Sequence, residues 1–293
     1  MILVVGGTGR LGRLIVDSLV SRGENVRVVT RSAAPTGLAS TVDVVTGDVR
    51  QPASLVPAMT QVDLVVSAMH GFVGRRGTSP SNVDRDGNMN LVDAAKSVGA
   101  QIVLMSLVGA SPAHPLHLAK MKYQAEEYAL RSGVETTVVR STAFMELWLE
   151  VLRHTVGRSG RALVFGRGDN PINFVSVVDV AALVALVIRD SSSRGSILEI
   201  GGPANLTFNE FVATMQSATN PMNPPRHVSP AMLALASAVT APFSPQTARQ
   251  ARSALVMDSV DLTFDASAIH RTYPQLPFTS LAQLLADEKL ISI

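Results

Sequence analysis

The 293-residue chain contains no cysteine. Disulfide frameworks, thiolate metal sites and cysteine nucleophiles are excluded together. Charge and aromatics are also sparse, at 16% and 4% of residues, with one tryptophan and three tyrosines. The 25 basic residues nearly balance the 23 acidic ones, giving a formal net charge of +2. Although the pI is about 9.2, no window gathers Lys and Arg, so nucleic acid is not an expected partner. No H-E-x-x-H, EF-hand or tight His/Asp/Glu set occurs, which argues against a metal site. A Gly-x-Ser-x-Gly elbow is missing too, leaving a hydrolase serine without support. The opening run Met1 to Val5 has no basic segment before it and is too short for a signal peptide. The longest apolar stretch, 174–188, carries Asp179 and falls short of the roughly 20 residues a bilayer crossing needs. A cytoplasmic protein without a membrane segment is expected. There is no internal repeat or low-complexity tract.

What is present is an alternation of short β-branched runs with helix-period segments. Strands are predicted at 2–5, 26–30, 42–46, 64–67, 102–105 and 136–140. These runs are apolar nearly throughout, as strands covered on both faces should be. Between the first two, Leu11, Leu14, Ile15 and Leu19 fall on one helical face, and Gly23 ends the helix. Ser79 and Pro80 open another helix that runs to Gly99. Ser176 with Asp179, and Thr207 with Glu210, read as capping boxes, which gives Asp179 a structural role. The pattern is α/β: a doubly wound parallel sheet with a smaller C-terminal substrate lobe. Residues 1–155 are expected to form the dinucleotide-binding core. Residues 156–293 then complete that core over about 172–200 and supply the lobe, where Gly201-Gly202-Pro203 and the proline-rich 220–225 break the chain.

The strongest motif is Gly6-Gly7-Thr8-Gly9-Arg10-Leu11-Gly12, directly after the first strand and opening the first helix. A tight turn, a backbone close to a pyrophosphate and a helix amino end that favours an anion all require this pattern. A NAD(P)-binding Rossmann fold follows. About 20 residues further on, where an acid normally meets the ribose 2′-hydroxyl, the chain has Thr30-Arg31-Ser32. Arg31 suits a 2′-phosphate and Ser32 can add a hydroxyl, so NADP(H) is preferred over NAD(H). The alternative is a solvated surface arginine; Arg10 has the same two readings. Asp48 and Val49 after the third strand, and Ser67, Ala68 and Met69 after the fourth, sit at strand ends where adenine and ribose would lie. Asp48 could accept from the adenine amino group or simply form a turn.

Three further runs join the glycine motif: Asp86 to Ala95, Ser132 to Arg140 followed by Phe144-Met145-Glu146, and Asn173-Phe174-Val175 to Ala181. Together they resemble the atypical short-chain dehydrogenase/reductase superfamily, and within it the NmrA-like and NAD(P)H-quinone-reductase-like group. The resemblance spans about residues 1–210. Extended members use a Tyr-x-x-x-Lys pair, and alignment through Lys122 and Glu126 places the tyrosine on Leu118. The acid-base tyrosine is therefore missing. The resemblance implies that Lys122 holds the nicotinamide ribose or donates a proton; the alternative is a helix-surface cation paired with Glu126. His117 and His114 are candidate proton donors or, equally, cap or surface groups. The Arg140-Ser141 step replaces the family's Arg-Pro, and Ser141, Thr142 and Ala143 are placed beside the carboxamide. Phe72, Phe144 and Trp148 are expected to line a substrate pocket, although helical spacing also allows ordinary core.

These residues imply an NADPH-dependent oxidoreductase that passes hydride to a small carbonyl, quinone or enone. The missing tyrosine keeps open a second reading, a non-catalytic NADP(H)-binding redox sensor of the NmrA type. The partner is a small-molecule substrate, and a homo-oligomer is compatible with the sequence.

Overall fold

A computed structural model describes residues 1–31, 37–72, 77–156, 160–217 and 223–287. The chain divides into two units, one of Met1–Ser141 with Val180–Ile200, the other of Thr142–Asp179 with Gly201–Ile293.

In the first unit the strands are β1 (Ile2–Val5), β2 (Val26–Thr30), β3 (Asp43–Thr46), β4 (Leu64–Ser67), β5 (Gln101–Leu107), β6 (Thr136–Ser141) and β10 (Ile197–Ile200). They form one sheet in the order β10-β6-β5-β4-β1-β2-β3, every pair parallel. All four residues of β1 and of β4 are buried, whereas the edge strand β3 is not. Continuous apolar runs therefore marked the central strands correctly, and β3 was legible mainly through its Val44-Val45 pair. Strand order reverses between β1 and β4, and in such sheets ligands bind at that switch point, beyond the carboxyl ends. This is the Rossmann-like α/β fold.

Helix α1 (Arg10–Ser21) buries Leu11, Ile15, Val16 and Leu19, and Gly23 follows at φ +77°. Ser79 caps a π-helical turn, Pro80–Arg85, that leads into α2 (Asp86–Val98), closed by left-handed Gly99. Helix α3 (His117–Arg131) precedes β6.

The second unit holds β7 (Ala143–Phe144), β8 (Leu163–Phe165), β9 (Ile172–Val175), β11 (Asn205–Leu206) and β12 (Arg226–Val228). Its helices are α4 (Met145–Val156), α6 (Phe208–Ser217), α7 (Pro230–Thr240), α8 (Pro245–Met257), α9 (Ser267–Thr272) and α10 (Leu281–Ala286). Met145, Leu149 and Leu152 of α4 pack with Phe174, Phe208 and Phe211 in one core. That packing corrects the division expected at 155/156: the boundary falls at 141/142, because α4 buries its apolar face in the second unit. Likewise only 180–200, not 172–200, completes the first unit.

Helix α5 (Val177–Val187) also departs from expectation at its start. Asp179 does not close a capping box with Ser176; its carboxylate accepts from the Thr279 hydroxyl at 2.6 Å and the Thr279 N–H at 2.8 Å. The cap comes from Glu146, which accepts from the Ser176 hydroxyl at 2.6 Å and from the Val177 N–H at 3.0 Å, and from Ser176 Oγ, which accepts from the Val178 N–H at 3.2 Å. The Thr207–Glu210 box forms as expected. Among the described residues no helix is long and apolar enough to cross a membrane, and no group of three or more acids and histidines could hold a metal.

Candidate functional site

The chain turns as soon as β1 ends. Gly6 takes φ +86°, a conformation that strains any residue with a side chain. A Cβ on Gly6 would lie 2.7 Å from the Ala68 carbonyl oxygen, and one on Gly12 would lie 2.1 Å from the Gly6 carbonyl oxygen. The turn is thus drawn against both the first turn of α1 and the backbone beyond β4. Gly9, at the N-cap, donates its N–H to the Gly6 carbonyl at 2.9 Å. It offers the helix no side-chain cap, and the first turn of α1 carries no acid. An amino end of this kind, with its positive dipole, suits a phosphate. Thr8 and Gly9 are exposed, Arg10 is half-buried, and Gly7 and Leu11 are buried.

Arg31 lies exposed just beyond β2, while Ser32 falls outside the described residues. Beyond β3, Asp48 is fully engaged. Its Oδ1 accepts from the Arg50 N–H and Nε at 3.0 Å each, and its Oδ2 from Arg50 Nη2 at 2.6 Å. These bonds hold the Asp48 carboxyl below the usual carboxylate range, and the charge of Arg31 adds to the effect. Of the two roles expected of Asp48, the bond from the Arg50 N–H is that of a turn-forming aspartate. Val49 is buried, and its carbonyl accepts from Asn90 Nδ2 at 2.8 Å.

Beneath the end of β4 lies a buried polar chain. Ser67 Oγ donates to Asn88 Oδ1 at 2.6 Å, and Asn88 Nδ2 donates to the Asp84 carbonyl at 2.7 Å. Asp84 Oδ2 accepts from the Gly71 N–H at 2.8 Å, and its Oδ1 stands 3.1 Å from Lys122 Nζ. Lys122 Nζ also donates to the carbonyls of Met69 and Met105, at 3.0 Å each. Asp84 Oδ1 has no other partner among the described residues, so the ion pair is what compensates its burial.

This geometry corrects one reading of Lys122. It is not a surface cation on Glu126, whose carboxylate is held by Arg140 at 2.6 Å. Its ammonium, 5% exposed, donates to the Met69 and Met105 carbonyls and stands beside the Asp84 carboxylate, turned away from solvent. Leu118, at the tyrosine position, is half-buried. His117 is exposed at the start of α3 with Nε2 3.1 Å from Ser81 Oγ, and His114 Nδ1 accepts from the Leu116 N–H at 3.0 Å. Both arrangements are those of helix-start and surface groups.

Ser141 is buried at the end of β6. In the second unit Thr142 Oγ1 donates to Asn173 Oδ1 at 2.9 Å, and Ala143 and Phe144 form β7. Trp148 packs edge-on to Phe208 with centroids 4.7 Å apart, so it takes part in that unit's core. Phe72 is half-buried in the first unit.

Sequence reasoning missed Asp84 and His70. Asp84 stands two residues before the recognised run at 86–95 and reads locally as a helix-start acid. His70 directly follows the strand-end triplet Ser67-Ala68-Met69, and that adjacency was the signal available.

Comparison with known proteins adds four findings. The NmrA-like family matches residues 1–233. Among curated relatives, a chloroplastic Arabidopsis thaliana protein, High Chlorophyll Fluorescence Phenotype 244, is 27% identical over 72% of this chain, which spans only 53% of that protein's length. Quinone oxidoreductase 2 of Escherichia coli is 26% identical over 73% of each chain. Among solved structures, the E. coli NADPH-dependent quinone oxidoreductase in complex with NADPH superposes with a TM-score of 0.79 at 24% identity, covering 98% of this chain and 99% of the other.

Proposed function

The chain belongs to the NmrA-like family, and from that premise we propose that it is an NADPH-dependent oxidoreductase reducing a small quinone, carbonyl or enone. The observation that carries the proposal is the glycine cradle. Side chains on Gly6 or Gly12 would collide with backbone, so the sequence keeps open a turn at the sheet's switch point beside an uncapped helix amino end. A diphosphate fits that donor set. Residues 6–12 would hold the pyrophosphate, Arg31 the 2′-phosphate, the backbone of Ala68 and Met69 the adjacent sugar, and Ser141 the carboxamide. When bound, reduced nicotinamide supplies hydride. What the E. coli quinone oxidoreductase is named for supports reduction as the reaction type.

A second reading is a non-catalytic NADP(H) sensor. Leu118 in place of the tyrosine, together with a Lys122 already committed to Asp84, favours it. One experiment separates the two. The protein is incubated with NADPH and a panel of quinones, enones and aldehydes while nicotinamide absorbance is followed. Turnover supports the reductase; saturable NADPH binding with no turnover of any acceptor supports the sensor.

A further inference from the structure

The buried ion pair under β4 does more than fill the core. Lys122 Nζ grips the carbonyl of Met69, and Asp84 Oδ2 grips the N–H of Gly71, at 3.0 and 2.8 Å. The two ends of one 3.1 Å ion pair thus hold the backbone on either side of a single residue, His70. Gly71 adds to the constraint: a Cβ there would lie 2.3 Å from the Ser79 carbonyl oxygen, so this segment admits no side chain at that position. Just upstream, the Ala68 carbonyl abuts Gly6 of the phosphate turn. Between these fixed points the His70 residue itself remains exposed, although Met69 before it is buried. A fully buried lysine–aspartate pair is costly to desolvate. Here it serves to hold the backbone on both sides of one exposed residue, His70, at the carboxyl end of β4.

We infer that His70 is the proton donor of the reduction and that Lys122 and Asp84 are positioning residues for it. The inference rests on the reductase reading above. In the step, the acceptor carbon or quinone receives the hydride that reduced nicotinamide supplies, and the acceptor oxygen takes a proton from the His70 imidazolium. An N–H bond breaks as the O–H bond forms. The neutral imidazole then regains a proton from solvent, so NADPH, one proton and the acceptor give NADP+ and the two-electron-reduced product. Lys122 Nζ is instead directed at the Met69 and Met105 carbonyls and lies 3.1 Å from Asp84 Oδ1, with the residue 5% exposed. Desolvation around His70 pulls its pKa below the ordinary imidazole value, the Asp84 charge opposes that shift and the Lys122 charge adds to it.

Three measurements test this. With a turned-over quinone, His70→Gln should lower kcat by about 100-fold, the lower end of what a positioned acid contributes, while NADPH affinity stays unchanged. The wild-type kcat should fall as pH rises through an apparent pKa below 6.5, and this limb should vanish in His70→Gln. Independently of turnover, NMR titration of the wild-type imidazoles, with His70 assigned by its loss in His70→Gln, should give a pKa below 6.5. In Asp84→Asn that value should fall further. Equal kcat and an unchanged pH profile in a folded His70→Gln would overturn the inference while leaving the reductase reading intact. A His70 ring titrating at its ordinary value would also overturn it. Wild-type protein that binds NADPH yet turns over no acceptor would overturn the reductase reading, and this inference with it.

Discussion

Arg31 and Asp179 show how single residues carry the account. Arg31 is exposed and is the cation at the end of β2 where NAD-binding folds place an acid. If it meets the 2′-phosphate, Arg31→Ala should weaken NADPH by about 10-fold, allowing for solvent screening, and leave NADH nearly unaffected. Parallel titrations with the two nucleotides check this, and equal weakening of both would contradict it. Asp179 is 1% exposed, and burial together with the nearby Glu146 raises its pKa to about 6, against two opposing bonds from Thr279. A carboxyl raised in the folded state contributes stability that is complete below its unfolded pKa of 3.8 and is lost as pH rises through about 6. The penalty at neutral pH is about 3 kcal/mol. Asp179→Asn should therefore be more stable than wild type at pH 8 and no more stable at pH 4, as urea unfolding at the two values would show. Greater stability at pH 4 than at pH 8, relative to wild type, would refute the assignment.

At the scale of elements, α3, β6 and β10 are tied by one arginine. Arg140 on β6 binds Glu126 of α3 at 2.6 Å and Glu199 of β10 at 3.4 Å, with Glu126 only 1% exposed. Removing Glu126 leaves Arg140 with only the longer contact to Glu199, so Glu126→Ala should cost about 3 kcal/mol of unfolding free energy. A loss within about 0.5 kcal/mol, the ordinary range for a surface site, would show that the bridge is solvated. This bridge also explains what the sequence concealed. Spacing on α3 paired Glu126 with Lys122 because helical neighbours are the only partners a linear pattern displays. The actual partners, Arg140 and Asp84, come from a strand and from a turn far along the chain. The central strands and α1 were legible because continuous burial and a 3.6-residue period leave local signatures. The glycine turn was legible because steric demands at Gly6 and Gly12 fall on residue type alone. His70 was legible only through its place after the strand-end triplet, since the contacts that hold its backbone come from two other elements.

The whole molecule is a discontinuous first unit and a second unit that interrupts and follows it. The sequence pattern set the boundary within α4, because the core that α4 joins draws on residues as distant as Leu281 and Leu284 that no local pattern links to it. All the residues proposed for pyrophosphate and 2′-phosphate lie in the first unit. Ligand that binds only folded protein stabilises it by mass action, about 2.7 kcal/mol at 100 times Kd. NADPH at that excess should raise the melting temperature by several degrees, with NADH at the same concentration giving a smaller rise.

The most direct test of the central claim is a calorimetric titration of the folded chain with NADPH, run beside Gly12→Val. The account predicts one saturable site in the wild type and none in the variant, whose side chain would displace the Gly6 carbonyl from the turn. Absence of saturable heat with both NADPH and NADH in the wild type would contradict it.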